Sequence, residues 1–196
     1  GLAGSLLGPT KASLAENVQT GLDKISYLFT ASSLGFMLGS FIGGRVYDRT
    51  PGHPVMAAML VLIGVMMALV PLLPSLWLLI LVMLIAGLAK VMVDVGCNTL
   101  LVWTHRDKVS PFMNGLHFFF GVGAALAPIF VAQAILLSGD FAWAYWALAL
   151  LAVPVAIAVL SVPSPAAGEA SEEEAVAPSQ EVNPVLAALV AVFFFL

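Results

Sequence analysis

Five long apolar runs constrain this sequence more than any other feature: Ile25–Val46, Pro54–Leu73, Leu76–Trp103, Pro111–Leu137 and Phe141–Val162, parted by short polar breaks. A helix crossing a hydrocarbon core about 30 Å thick needs about 20 residues, and every run reaches that length. None of them alternates apolar and polar residues as a membrane strand does. In lipid, backbone groups find partners only inside a helix or a closed barrel. The runs therefore predict an all-α, polytopic membrane helix bundle. Composition agrees, because 61% of the residues are hydrophobic and 9% are charged, whereas a soluble domain carries about 25% charge. A soluble core of this size would lack a charged skin.

The flanks read as partial spans. Residues 1–9 are apolar but stop short at Lys11, and a last apolar stretch starts at Pro184 and reaches Leu196. Both are shorter than a crossing, so the complete runs read as helices two to six of a set, with truncated helices one and seven beside them. No basic leader precedes the first residues, which are not read as a signal peptide. Between the sixth and seventh spans, Ser164–Pro184 reads SPAAGEASEEEAVAPSQEVNP and holds five of the eleven acids. Its composition is that of a solvated linker, and it accounts for the formal net charge of -4. The expected organisation is a helix bundle over 1–163, an acidic linker over 164–183 and the start of a seventh helix over 184–196.

Lys and Arg in short loops set orientation. Arg45 and Arg49 follow the first complete run, and Arg106 and Lys108 follow the third. Lys11 and Lys24 lie on the opposite side. Four against two predicts that the two former loops, and with them the linker, are cytoplasmic. A multi-pass protein of the plasma (inner) membrane is the expectation. No basic patch points to nucleic acid. A lone cysteine, Cys97, excludes an internal disulfide and a multi-cysteine metal site.

Chemistry concentrates in two runs. Lys90, Asp94 and Asn98 are spaced i, i+4, i+8 and share one face of the fourth helix. Charged groups at membrane depth cost about 2.5–3.5 kcal/mol each on insertion scales, and they mark functional sites or pair with one another. Two readings follow: a substrate or coupling-ion site, or a self-neutralising Lys90–Asp94 pair that locks the bundle. Asn114, His117 and Gly121 form a stripe on the fifth helix, continued by Ala124 and Pro128. Counted from the shared loop, Asp94 and His117 lie roughly 9–14 Å inside the same boundary. The two helices are read as antiparallel neighbours whose polar stripes face each other or one cavity. His117 is either a proton relay or substrate ligand, or a buried histidine satisfied by Asn98 or a carbonyl.

Gly35, Gly39 and Gly43 line one side of the second helix, where small residues let backbones approach; a packing role is expected. Thr30, Ser33 and Ser40 suit a pore lining but also an ordinary helix interior. Phe118 and Phe120 are first read as lipid or core contacts, with sugar stacking as the alternative. The sequence contains no nucleotide loop, zinc spacing or G-x-S-x-G elbow, so no enzyme is expected.

Residues 43–54, GGRVYDRTPGHP, resemble the helix 2–3 loop motif of the major facilitator superfamily, G-x-x-x-D-[RK]-x-G-[RK]-[RK]. Gly44, Asp48 and Arg49 match in position; the next glycine, Gly52, falls one residue late, and the trailing basic pair is absent. The stretches DVGCN (94–98) and NGLHFFFGVGAALAP (114–128) look like helices four and five of the sodium-dependent glucose transporter-like branch, relatives of the fucose and galactose symporters. Asp94, Gly96, Asn98, Leu116, His117, Phe118, Gly123 and Pro128 carry that likeness.

The resemblance implies the amino-terminal six-helix half of a twelve-helix transporter, with a weak three-plus-three inverted repeat and a missing carboxy-terminal half as its partner. It implies a small polar organic solute, a sugar, moved with Na⁺ or H⁺ by alternating access and without a cofactor. Asp48 and its neighbours would latch the loop to the opposite half at the gate. Lys90, Asp94, Asn98, Asn114 and His117 would face the cleft between the halves, with Asp94 as the ion or proton carrier. The rival within the family is a drug–proton antiporter, whose fifth helix ends G-P-x-x-G-G; Gly123, Ala127 and Pro128 echo it, but the other glycines are missing. A receptor or interaction protein that keeps the helices without transporting is the rival of another class.

Overall fold

The computed structural model describes residues 1–165. Its elements are α1 (Leu2–Ser5), α2 (Leu7–Asn17), α3 (Leu22–Ile25), α4 (Tyr27–Tyr47), α5 (Gly52–Leu69), α6 (Leu76–His105), α7 (Ser110–Ser138) and α8 (Ala142–Leu160). Short 3₁₀ turns follow α5 and α6 at Val70–Leu72 and Arg106–Lys108. No strand occurs among the described residues. Five helices are long and apolar enough to cross a membrane. The expected linker beyond Pro165 and the start of a seventh helix lie outside the described residues.

The expected spans are present, with shifts at their ends. The first segment does not stop before Lys11 but continues as helix to Asn17. Pro9 has no N–H to give to Ser5, so the hydrogen-bond ladder breaks at Leu6, yet Leu6 keeps helical angles (φ −65°, ψ −33°). α1 and α2 thus form one rod with a flaw. α5 begins at Gly52 rather than Pro54. Pro54 sits in the first turn, where N–H groups have no helical partner anyway. α6 is the longest at 30 residues, about 45 Å at the usual rise, and so extends past the hydrocarbon core.

Pairing follows the small residues. α4 packs chiefly on α6, α5 on α8 and α6, and α7 on α1, with lesser contacts to α8 and α2. Gly35, Gly39 and Gly43 are the buried positions along the middle of α4. A Cβ at Gly35 would collide with the Leu84 carbonyl oxygen, and one at Gly87 with the Ser32 carbonyl oxygen. At Gly39 the Leu88 carbonyl oxygen is 2.9 Å from where a Cβ would sit. In lipid, association rests on such close van der Waals contact rather than on a hydrophobic driving force, so the glycine stripe decides which helix α4 touches.

Exchanging the first three rods with the last three maps the α4–α6 pairing onto that of α7 with α1 and α2, and α5–α8 onto itself. These pairings are among the most extensive contacts in the bundle. The α5–α6 contact has a thin counterpart between α2 and α8, where the Thr10 and Tyr145 hydroxyls meet at 2.7 Å. That pair is buried, and Thr10 also donates to the Leu6 carbonyl at 2.8 Å.

The side expected to be cytoplasmic is tied together by His53. Its Nδ1 lies 2.9 Å from the Val162 carbonyl, and its N–H donates to Ser164 Oγ at 3.2 Å. The start of α5 is thereby held to the segment that follows α8. At the other side, Asn17 reaches the Pro71 and Leu73 carbonyls at 3.3 and 3.4 Å.

Candidate functional site

Lys90 lies midway along α6, 14 residues after Leu76 and 15 before His105. It is partly buried, and its Nζ donates to Ser32 Oγ on α4 at 3.3 Å. Between the two readings of the Lys90–Asp94 spacing, the self-neutralising pair is not formed: no ion pair joins them among the described residues. The geometry explains this. Lys90 points across to α4, which the glycine stripe draws close, while Asp94 one turn on points toward α7. There it lies within electrostatic reach of His117. Asn98 turns its amide back to donate to the Asp94 backbone carbonyl at 2.8 Å.

The polar stripes of α6 and α7 approach without bonding. Although the two helices are joined by a short loop, they touch little, because α6 spends its small-residue face on α4 and α5. The two helices therefore share a loop and a polar region but little packing. Asn114 and His117 are exposed, whereas Lys90, Asp94 and Asn98 are partly buried. No hydrogen bond reaches His117 among the described residues, so neither Asn98 nor a carbonyl satisfies it. Ala3 and Gly4 line a cavity together with Lys90, which places the start of α1 beside the same site.

A cavity of about 170 Å³ adjoins Lys90 and is walled by Leu6, Phe29, Ser32, Ser33, Met83 and Tyr145, among others. It is large enough for several waters. The hydroxyl that meets Lys90 is that of Ser32, not of Thr30, Ser33 or Ser40. Thr30 and Ser40 prove exposed, and Ser40 bonds its own helix at Phe36. A signal for Ser32 existed: it stands three residues before Gly35, on the stripe that packs against α6. The Thr10–Tyr145 pair had no such signal, because its partners are 135 residues apart. Phe118 and Phe120 are 65% and 48% exposed.

The loop motif divides into residues that this bundle uses and residues that it does not. Tyr47 is fully buried and donates its phenol to the Met92 carbonyl at 2.8 Å. That phenol occupies the space a side chain at Gly96 would need. Gly44 is exposed and faces nothing within 4 Å, and Asp48 and Arg49 are exposed at the end of α4. No packing demand within the described residues accounts for a glycine at 44.

Comparison with known proteins identifies the family. The sequence profile of the Major Facilitator Superfamily matches residues 1–196. The chain is 36% identical over 129 residues to mouse sodium-dependent glucose transporter 1A, covering 66% of this chain and 30% of the relative. It is 34% identical over 135 residues to the human sodium-dependent glucose transporter 1, covering 69% of this chain and 26% of the relative. Human major facilitator superfamily domain-containing protein 4A is 34% identical over 131 residues, 66% of this chain and 25% of the relative. The matched part is thus at most about a third of these relatives' length, and no solved structure matches. The helices and the full-length family match together establish that this multi-pass integral membrane chain belongs to the Major Facilitator Superfamily.

Proposed function

We propose that this chain is the amino-terminal six-helix half of a secondary active transporter that moves a small polar organic solute, a sugar, by alternating access with a coupling cation, Na⁺ or H⁺. The observation that carries this reading is Asp94: a carboxylate at membrane depth that has no ion pair with Lys90 and lies beside an exposed His117. A carboxylate there is costly unless it meets a cation or a water-filled cavity. A coupling cation entering from one side meets that need, and it leaves on the other side when the cavity reopens. Asn98, Asn114 and His117 supply hydrogen-bonding groups of the kind that hydroxyls of a sugar require. The names of the relatives, sodium-dependent glucose transporters, support both the solute class and the cation.

In this reading Gly44, Asp48 and Arg49 serve the gate. All three are exposed in this half, and Gly44 meets no packing demand there, as a latch to the other half requires. The plasma (inner) membrane is the proposed location. The test is uptake of radiolabelled glucose and fucose by the full-length protein in proteoliposomes, under imposed Na⁺ and proton gradients in turn. Uptake that one gradient drives, and that Asp94→Asn uncouples from it, is the expected result. Failure of the wild type to move any sugar, or wild-type coupling in both Asp94→Asn and His117→Ala, would remove the proposal.

A further inference from the structure

We propose that Lys90 is a tethered cation that moves between Ser32 and the Asp94 carboxylate and stands in for the coupling ion when the carrier is empty. The inference rests on the reading of Asp94 as the coupling-ion site. It begins from the contact that Lys90 makes. A 3.3 Å bond to a neutral hydroxyl lies beyond the usual range for N–H···O bonds, and it leaves two of the three ammonium donors unassigned. Residues four apart on a helix are surface neighbours. The Lys90 ammonium on its flexible four-carbon stem therefore reaches either Ser32 across the interface or Asp94 one turn along. A cavity of about 170 Å³ on the Ser32 side, walled in part by Ser32, Ser33 and Lys90 itself, leaves the ammonium loosely packed there.

The charges around the site leave Lys90 little choice of partner. The other acids among the described residues are Glu16, Asp23, Asp48, Asp107 and Asp140, all at helix ends or in loops. Asp94 is the one within a long helix. From α7 it faces His117. No arginine or second lysine lies at that depth.

An empty symporter must return across its conformational cycle without its cation. A bare carboxylate opposes that return, because the closed intermediate desolvates it. With Lys90 on Asp94 the pair is neutral and the return is permitted. With an external cation on Asp94, Lys90 retires to Ser32. The competition also sets affinity: a site open for only part of the time binds its cation more weakly by that fraction.

The deciding measurement needs no sugar. Full-length protein in detergent is melted while Na⁺ is titrated, with choline holding ionic strength constant, since a ligand of the folded state raises the melting temperature. The wild type should show a saturable rise, and Asp94→Asn none. Lys90→Met, which removes the competitor, should lower the Na⁺ midpoint by on the order of tenfold, within the usual range of coupling between sites. Ser32→Ala, which removes the resting place, should raise it. Unchanged midpoints in both overturn the proposal. If Lys90→Met does not fold, Ser32→Ala decides alone, and an unchanged midpoint there is equally fatal. In proteoliposomes Lys90→Met should depress net uptake more than exchange with preloaded vesicles, because only net uptake needs the empty return; equal depression argues against the proposal. A wild type that does not respond to Na⁺ overturns the tethered-cation role while leaving proton-driven sugar uptake open. Midpoints that shift as expected without sugar uptake would instead refute the proposed function.

Discussion

Replacing Gly96 with alanine tests the packing that joins the loop motif to the candidate site. Gly96 lies on α6 between Asp94 and Asn98. The added Cβ would collide with the Tyr47 hydroxyl and ring and stand 2.9 Å from Met56 Cγ. Tyr47 is 0% exposed, so its ring has no free direction in which to yield. Overpacking of this kind costs about 1–3 kcal/mol. Displacing the phenol also breaks its 2.8 Å bond to the Met92 carbonyl, about 0.5–1.5 kcal/mol net. The sum is about 1.5–4.5 kcal/mol. Thermal melting of the detergent-solubilised full-length protein, followed by fluorescence-detected size exclusion, should show a drop of several degrees. A double-mutant cycle isolates the cause. In a Tyr47→Ala background the space is open, and Gly96→Ala should cost nothing or gain the fraction of a kcal/mol by which alanine exceeds glycine in helix preference, about 0.8–1.0 kcal/mol at most. An equal penalty in both backgrounds would refute the steric account.

The hydroxyl pair should respond asymmetrically: Thr10→Val leaves the buried Tyr145 phenol without a partner, whereas Tyr145→Phe leaves Thr10 bonded to Leu6. Thr10→Val should therefore destabilise by about 1–2 kcal/mol and Tyr145→Phe by less than about 1, as read by the same melting assay. His53→Ala removes the side-chain tie to Val162, and hydrogen exchange should speed up at both the start of α5 and the end of α8; a change confined to α5 would mean that the two ends are not coupled. Asp48→Asn in the full protein should slow transport while surface expression is unchanged, and an unchanged rate would make the motif an ordinary turn.

The glycines show how far sequence carried the reading and where it stopped. That α4 would use Gly35, Gly39 and Gly43 for close packing was legible from their four-residue spacing, but the partner was not. Spacing describes one helix, and the identity of α6 as the partner depends on Gly87 and the carbonyls of Leu84 and Leu88. The same limit explains Gly96, whose need for a hydrogen side chain comes from a tyrosine 49 positions earlier.

The sequence by itself determined the class, the number of complete spans and their approximate ends. Lipid leaves the backbone only intrahelical partners, so hydropathy and length, both local properties, are enough. It also determined which residues were out of place at membrane depth, because charge is written in the residue type. Tertiary structure decided what those residues do. It turned Lys90 to Ser32 and away from Asp94, brought Asp94 within reach of His117, and kept α6 and α7 from packing along their length. A one-dimensional period fixes the face that a side chain occupies, but the partner across the interface depends on which helices the small residues allow to come close.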